Sequence, residues 1–425
     1  MLSPARPRPL RAVVDLPYVT PRGRIVLQPG YDPETHLYLQ LPELESGPRV
    51  TVRPGSGVVR EALHTMMAPW SAYRFASPAD AAGMVSAVLA AVSRGVLALC
   101  PAYLFDAASQ GSGKSKAACA LGAVIEGRLP AVTPFSGSGP GADDELRKRL
   151  VSEAAEGRRF TLIDNVVGHF KSSALAAVLT SGRLADRVLG QSRTVVADVT
   201  ALTTLTANNA SVDADLSRRM VQVRIEAGID PTHRAFDFDP VSVALAQRRR
   251  IAEAACTVLA AYFADGASDI VKGDAGGFAD WNRLCRQPVL WLARKGYGDT
   301  LPWPEVGDPA ASMLADPADT DPEVEATGDL LLALWTITDG GSFTAADVAE
   351  WFGAGEDSGD RESPTSRVHE AVRDCLGPRC QPSARSLGRM LMYRRDRAIG
   401  GLKLLGREGR ASKVWRVALV EPPAG

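Results

Sequence analysis

The sequence predicts an α/β protein with a central, largely parallel sheet, a small β-rich cap before it and a basic module of helices and strands after it. Three observations lead to this class. An apolar, strand-like run ends in a glycine-rich segment containing Gly-Lys-Ser, which a helix-favouring run follows. Further apolar strands then alternate with helical segments, which is typical of a parallel sheet covered on both faces. The C-terminal region combines helical patterns with two strand-like patterns.

The chain of 425 residues, 45% of them hydrophobic, is long enough for two or three domains. Its net charge of -1 conceals an asymmetry. Residues 304–360 contain fourteen acidic residues and no Lys or Arg, whereas residues 361–425 contain fourteen basic and six acidic residues, a balance of 14 - 6 = +8. A basic end module indicates a polyanionic partner, and a solvated basic face is the other interpretation.

Cysteine usage and hydropathy indicate a cytoplasmic protein. The six cysteines form no C-x-x-C pair and the five histidines are scattered, so we expect reduced thiols and no zinc site. The basic N-terminal residues are not followed by the apolar core of a signal peptide. The most apolar stretch, residues 81–105, is interrupted by Ser93, Arg94 and Gly95, so no membrane span is expected.

The first 60 residues predict a small β-rich cap. They are rich in proline and strand formers, and residues 30–33 mark a turn between strand-like residues 24–27 and 36–39. Helical spacing of apolar residues starts at Pro78 and continues to Val92. This predicted helix precedes the strand that leads into the glycine-rich segment.

Residues 96–119 place a strand, a glycine-rich turn and a helix in direct succession, which predicts a site for nucleotide phosphates. Such a turn leaves backbone N–H groups without partners at a helix start that favours negative charge. We expect Lys114 to reach the β- and γ-phosphates of ATP and Ser115 to hold Mg²⁺. Ala108 stands where the general pattern has glycine, and a glycine-rich linker is the alternative. The remaining residues expected at the phosphates are Gln110, Gly111, Ser112, Gly113 and Lys116.

A second apolar strand ends in a carboxylate. Helices are predicted over residues 116–125 and 143–155, with a short strand at 131–133 between them, and the apolar run 160–164 closes with Asp164. A carboxylate delivered beside a phosphate loop suits Mg²⁺, which takes oxygen ligands and few of them from protein. We expect Asp164 on the metal side. An aspartate that caps the following turn is the alternative.

The remaining strands of this region are predicted at residues 195–199, 202–206 and 220–225, after a helix at 173–179. The pair Asn208-Asn209 follows one of them. Open α/β sheets bind ligands at the carboxyl ends of their strands, so Asn208 is expected to orient the attacking water. An asparagine turn is an equally good interpretation.

The C-terminal region predicts helices at residues 329–338, 344–351 and 366–376, the second with a capping box of Thr344 and Asp347. A basic helix at 383–395 and strands at 402–405 and 413–417 follow. This order looks like a winged helix, in which the basic helix enters the major groove and the wing contacts phosphate. A winged helix that contacts protein is the alternative. The expected DNA contacts are Arg385, Arg389, Arg394 and Lys413.

Five segments in order carry a resemblance to a known family: GSGKS at 111–115, LIDN at 162–165, DRVLG at 186–190, TANN at 206–209 and DLSRR at 215–219. They resemble the AAA+ ATPase core of phage and mobile-element replication helicases, which are related to superfamily 3 helicases and to the helicase halves of primase-helicases. The resemblance implies a P-loop AAA+ core at residues 61–265. A β-rich cap at 1–60 would precede it, and a helical, acidic connector at 266–325 and a winged-helix-like domain at 326–425 would follow.

The resemblance also implies residue roles. Lys114 and Ser115 match the Walker A lysine and hydroxyl, Asp164 the Walker B acid and Asn208 the sensor 1 amide. Arg218 and Arg219 match the position from which an arginine finger reaches the nucleotide of the neighbouring subunit. Catalysis would then need an oligomeric ring, expected to be a hexamer. Phosphate or carboxylate pairing within one subunit is the alternative for the two arginines.

Two features of the family are altered or uncertain in this chain. Asn165 occupies the place where many AAA+ proteins carry the water-polarising glutamate, so the identity of the general base is uncertain. Glu145 is the nearest alternative carboxylate. An equally good interpretation is that Glu145 is only a solvated surface residue. Helicases of this type insert a DNA-contacting hairpin between Asp164 and Asn208. Its tip is expected at residues 190–194, and the candidate phosphate contacts are Arg187 and Arg193 unless this is a plain exposed turn.

The predicted function is an ATP-dependent DNA helicase or translocase that acts in replication of a phage or mobile element as an oligomeric ring, with ATP and Mg²⁺ as cofactors. Single-stranded or forked DNA is the expected partner, and no membrane is involved. The alternative, which Asn165 favours, is an ATP-binding replication initiator or regulator without motor activity. A primase is not expected, because the residues before the core are too few for a polymerising domain.

Overall fold

The chain divides into two compact units, Met1–Ala315 and Asp316–Gly425. In the computed structural model the described residues are 8–41, 49–107, 111–134, 141–166, 168–187, 194–208, 211–226, 238–273, 275–301, 303, 305–315, 322–356, 363–377, 380–396, 398–399, 401–409 and 413–420.

The first unit is a mixed α/β body. Its strands are β1 (Ala12–Val14), β2 (Tyr18–Val19), β3 (Ile25–Val26), β4 (Gly30–Asp32), β5 (Leu37–Leu39), β6 (Ala102–Asp106), β7 (Thr133–Pro134), β8 (Phe160–Val166), β9 (His169–Phe170), β10 (Arg183–Arg187), β11 (Thr194–Asp198), β12 (Leu202–Ala207), β13 (Ser211–Val212) and β14 (Met220–Arg224). Its helices are α1 (Ser56–Met67), α2 (Pro78–Ser93), α3 (Lys114–Glu126), α4 (Ala142–Ala155), α5 (Ser173–Ser181), α6 (Ala214–Ser217), α7 (Pro240–Ala264), α8 (Ala279–Trp281), α9 (Gln287–Arg294) and α10 (Ala311–Leu314), with a π-helical turn at Asn282–Arg286.

The five-stranded central sheet is parallel throughout, in the order β14-β6-β12-β8-β7. Helices cover both of its faces. From β6, Tyr103 and Phe105 pack into the core that α2, α3 and α7 build, whereas Leu104 joins the core of α4 and α5 on the other face. Because both faces are buried, every residue of β6 is apolar except the final Asp106, and none of the five is exposed. The predicted central parallel sheet is confirmed.

The N-terminal residues form the predicted β-rich region. Strands β1, β5 and β4 make one three-stranded sheet, with β1 parallel and β4 antiparallel to β5. Strands β2 and β3 form a separate antiparallel pair. The buried Leu37 and Leu39 of β5 belong to the same core as α1, α2 and α7, so this region packs against the central body through apolar side chains.

One strand expected in the parallel sheet lies elsewhere. Strand β11 pairs antiparallel with β10 in a two-stranded ribbon, with Arg187 opposite Thr194. Its side chains alternate, since Val196 is 61% exposed while Ala197 is buried. Such alternation is typical of a ribbon with one covered face, whereas a strand inside a parallel sheet is buried on both faces. The expectation that residues 195–199 extend the central sheet was therefore wrong.

Gly122 lets α3 lie close to β8. A Cβ atom at this position would lie 2.5 Å from Cδ1 of the buried Phe160 and 2.9 Å from Cβ of Pro130. We expect Gly122→Ala to destabilise the first unit by about 1–3 kcal/mol, because the helix or the ring must shift to admit the methyl group. Denaturant unfolding of the full chain measures this change.

Gly57→Ala is the matched control for Gly122. Gly57 also lies in a helix, α1, but it is exposed and has no atom within 4 Å of the added Cβ. Alanine is expected to leave stability unchanged or raise it by up to about 1 kcal/mol, the difference in helix propensity. Equal losses for both variants would contradict the close-approach explanation.

The second unit contains helices α11 (Pro322–Thr338), α12 (Ala345–Glu356), α13 (Pro364–Leu376) and α14 (Ala384–Arg394) with strands β15 (Ser342–Thr344), β16 (Ala398–Ile399), β17 (Leu402–Glu408) and β18 (Lys413–Leu419). The strands form one antiparallel sheet in the order β15-β18-β17-β16. Leu334, Phe343, Leu391 and Trp415 are buried in its separate core. The sequence predicted two of these strands, β17 and β18. The short strands β15 and β16 were not predicted, because their sequences lack a distinct alternating pattern.

Across the described residues, no helix combines the length and the apolar character that crossing a bilayer requires.

Candidate functional site

A cavity of about 580 Å³ lies at the carboxyl edge of the central sheet, where β6, β8 and β12 run side by side. Its lining comes from three chain segments that are far apart in sequence. The lining residues are Gly111, Ser112, Gly113, Lys114, Ser115, Lys116, Asp164, Asn165, Thr206 and Asn208.

The glycine-rich turn and the start of α3 form one wall of this cavity. Gly111 and Gly113 have φ values of 80° and 86°, a left-handed conformation that glycine adopts without steric cost. Gly113 is the N-cap of α3 and, as a glycine, supplies no side-chain cap. The Tyr73 hydroxyl donates to the Gly113 carbonyl oxygen at 3.0 Å and so fixes the turn. An uncapped helix N-terminus offers N–H groups and partial positive charge to an anion such as phosphate.

Lys114 is buried, and its ammonium group links two parts of the cavity. Its Nζ donates to Ser112 Oγ at 3.0 Å and to Asn208 Oδ1 at 2.7 Å. Burial lowers the pKa of Lys114 below its ordinary value, and the negative charges of Asp106 and Asp164 oppose that shift. The sequence-predicted Lys114 and Asn208 are therefore in direct contact.

Asp164 and Ser115 meet on the other side of the cavity. Ser115 Oγ donates to Asp164 Oδ1 at 2.7 Å, and Thr206 Oγ1 donates to the same oxygen at 2.5 Å. A hydroxyl beside a carboxylate is an oxygen donor set of the kind that Mg²⁺ prefers, so these residues fit the expected metal. Thr206 was missed by sequence reasoning, although it begins the TANN segment that drew attention to Asn208.

Asn165 forms hydrogen bonds with two residues of the segment 206–208. Its backbone N–H donates to Thr206 Oγ1 at 2.9 Å, and its Oδ1 accepts from Asn208 Nδ2 at 3.4 Å. Its φ of 61° is left-handed, a conformation that asparagine tolerates better than most residues. Among the residues that line the cavity in the described structure, Asp164 is the only carboxylate.

Glu145 is not brought to this cavity. It lies in the first turn of α4, its side chain is 80% exposed and its carboxylate is 3.9 Å from Lys148 Nζ. It is absent from the cavity lining. This position supports the solvated interpretation of Glu145.

Arg218 and Arg219 lie at the amino-terminal ends of the sheet strands, whereas the cavity lies at their carboxyl ends. They precede β14, and the Arg219 carbonyl oxygen accepts from the N–H of Ala102, the first residue of β6. The five residues of β6 separate this edge from the glycine-rich turn by about 16 Å. Neither arginine can reach the cavity of its own chain without a rearrangement of the sheet.

The two arginines differ in their surroundings. Arg219 Nη2 pairs with Asp215 Oδ1 at 3.1 Å, and its buried Nε has no hydrogen-bond partner among the described residues. Arg218 is exposed and has no side-chain hydrogen bond or ion pair to any residue that the structure describes. Arg218 is thus available to a second molecule, whereas Arg219 is engaged in its own chain.

The predicted DNA contacts are only partly described. Strands β10 and β11 pair antiparallel in the region where a hairpin was expected, and the backbone of Arg187 lies at the end of β10. Arg193 and the rest of residues 188–193, like Gln110 of the glycine-rich segment, lie outside the described residues, as does the side chain of Arg187.

In the second unit, Arg385 and Arg389 are exposed on α14, and Lys413 is partly exposed at the start of β18. Arg394 is buried instead, with Nε donating to Thr327 Oγ1 at 3.1 Å and Nη1 donating to the Met390 carbonyl oxygen at 3.4 Å. The expectation that Arg394 contacts DNA was wrong, because its side chain turns toward α11 and away from solvent.

Comparisons with known proteins give little beyond this geometry. No family model matches the chain, and no curated protein matches it. Among solved structures, the chain is similar to the C-terminal region of NrS-1 in the A form of its apo structure, with a TM-score of 0.34 and 12% sequence identity over 88% of this chain and 77% of that chain.

Proposed function

We propose that this chain is an ATP-dependent DNA helicase or translocase that acts in replication of a phage or mobile element. Its first unit would hold a P-loop AAA+ core that works in an oligomeric ring, and its second unit a winged-helix-like DNA-binding domain. One observation carries the proposal: Lys114, Ser115, Asp164 and Asn208 converge on a single cavity beside the N-terminus of α3.

These residues can hold ATP and Mg²⁺ without a change in fold. Lys114 would exchange its present acceptors, Ser112 and Asn208, for phosphate oxygens, and the N-terminus of α3 would receive further phosphate oxygens. Ser115 and Asp164 would hold Mg²⁺, which neutralises phosphate charge when bound. Release of Lys114 would free Asn208 Oδ1 to orient a water molecule at the cavity.

A ring would give the exposed Arg218 a place in catalysis. Arg218 lies at the sheet edge far from its own cavity and is exposed, so it can complete the cavity of a neighbouring chain. Head-to-tail contacts of this kind close into rings when the rotation between subunits allows it. An arginine supplied in this way stabilises the charge that develops during phosphoryl transfer.

A second function is favoured by Asn165. The position beside Asp164 carries an amide, and within the described cavity lining no second carboxylate is available to polarise water. An amide can orient water but cannot remove its proton at neutral pH. The alternative is therefore an ATP-binding replication initiator or regulator that assembles on DNA and hydrolyses ATP slowly or not at all.

Strand displacement on a forked DNA duplex separates the two functions. The helicase is expected to displace the strand only with hydrolysable Mg-ATP and to hydrolyse ATP faster when single-stranded DNA is present. The initiator is expected to bind the fork in the presence of ATP without displacing a strand. ATP hydrolysis that is brisk yet indifferent to DNA would contradict the helicase, and absence of Mg-ATP binding would contradict both.

A further inference from the structure

One surface of the second unit combines exposed cations with exposed apolar side chains. On α14, Arg385 and Arg389 are exposed, and Met392 and Tyr393 are 46% and 60% exposed. Steps of four residues from Arg385 through Arg389 to Tyr393 place these side chains along one side of the helix, over about 12 Å of its axis. These four residues are called the α14 face below.

Lys413 of β18 borders this face. Its Nζ lies 3.3 Å from Met392 Sδ and 5.7 Å from the centroid of the Trp415 ring. A third cation therefore adjoins the apolar end of the α14 face, close to Met392. The cations and the apolar side chains form one continuous surface.

The two arginines of the α14 face differ from the nearby Arg395 in their acidic neighbours. Neither Arg385 nor Arg389 forms an ion pair with a residue in the described part of the chain. Directly after the end of α14, Arg395 is paired with an acidic residue, because its Nε lies 3.0 Å from Asp396 Oδ2. Uncompensated, exposed arginines attract the phosphate backbone of nucleic acids.

The Tyr393 ring contacts the guanidinium of the buried Arg394. The Arg394 guanidinium carbon lies 5.9 Å from the ring centroid, and hydrogen bonds to Thr327 Oγ1 and the Met390 carbonyl oxygen hold that guanidinium in place. The attraction between guanidinium and ring restrains Tyr393. The contact with Arg394 restrains the Tyr393 ring, and the side chain is 60% exposed.

We propose that the α14 face binds single-stranded DNA, with Arg385 and Arg389 on phosphates and an unstacked base on the Tyr393 ring. Within a duplex, neighbouring bases cover each other's flat faces, so an aromatic side chain stacks only on a base that has left the stack. Met392 adds polarisable surface beside that base. The inference rests on the proposed function, because it takes DNA as the partner and specifies the form of DNA that this unit contacts.

Fluorescence anisotropy of the full chain with a labelled oligothymidine of about 20 nucleotides tests this inference. Tyr393→Ala is expected to weaken binding about five- to a hundredfold, the loss of one base–aromatic stack, whereas Tyr393→Phe keeps the platform and binds like the wild type. Arg389→Ala is expected to lower the slope of log affinity against log salt by about 0.7. Tyr38→Ala is the matched control, since Tyr38 is 43% exposed and lies in β5 of the first unit.

Three outcomes would overturn the inference. The first is unchanged binding of the single strand by Tyr393→Ala, and the second is an equal loss on a duplex of the same length. The third is tighter binding of single-stranded RNA than of single-stranded DNA. Failure of the wild type to bind either form of DNA would instead contradict the proposed DNA partner, while Mg-ATP binding is expected to be the same in every α14 variant.

Discussion

Lys114→Ala is expected to weaken Mg-ATP binding by at least about a hundredfold and to reduce ATP hydrolysis to the background rate. The ammonium group of Lys114 is the cation buried at the centre of the cavity, between Ser112 and Asn208. Hydrogen bonds from a charged donor contribute about 1.5–3 kcal/mol each, so the loss of two phosphate contacts should weaken affinity by at least about a hundredfold. Isothermal titration calorimetry with Mg-ATP measures the change.

The control for this variant is Lys272→Ala. Lys272 is an exposed lysine that is distant in sequence from the cavity residues and is not part of the cavity lining. Its affinity for Mg-ATP should match that of the wild type. A thermal unfolding curve close to that of the wild type would show that Lys114→Ala still folds. Retained Mg-ATP affinity in a folded Lys114→Ala chain would contradict the assignment of this cavity to the triphosphate.

The elements that place this cavity were largely predictable because their signals are local. A buried strand, a turn that needs left-handed glycines and a helix follow one another within residues 102–126, and each can be identified from adjacent residues. The meeting of Lys114 with Asn208 also follows from topology, since neighbouring parallel strands end at one edge. The partner of β11 was not predictable in this way, because alternation along a strand does not reveal which strand lies beside it.

The burial of Arg394 could have been predicted from the helical periodicity of the sequence, although its positive charge favoured an exposed DNA contact. Arg394 lies seven residues after Leu387 and three after Leu391, both buried, so helical periodicity assigns it to the buried side of α14. Arg385 and Arg389 fall outside that side, as their exposure shows. The role of Thr206 could not be anticipated similarly, because its contacts with Asp164 and Asn165 join two strands that are about forty residues apart.

Arg218→Ala is expected to lower the rate of ATP hydrolysis by about 10³-fold or more while leaving Mg-ATP affinity nearly unchanged. Arg218 is exposed and lies at the far edge of the sheet, so its effect should fall on the transition state in a neighbouring chain. Arg219→Ala should act differently, since Arg219 is paired with Asp215 and should affect stability before rate. Arg250→Ala, which changes an exposed arginine of α7, is the control.

Mixing two inactive variants tests whether Arg218 acts between chains. In an equal mixture of Lys114→Ala and Arg218→Ala, about a quarter of the contacts in a randomly assembled ring join an intact Lys114 cavity to an intact Arg218. Hydrolysis should therefore recover to about a quarter of the wild-type rate, although each variant alone is inactive. If the mixture stays as inactive as its components while both variants still assemble, Arg218 does not complete the site of a neighbouring chain. Catalysis would then not require a ring.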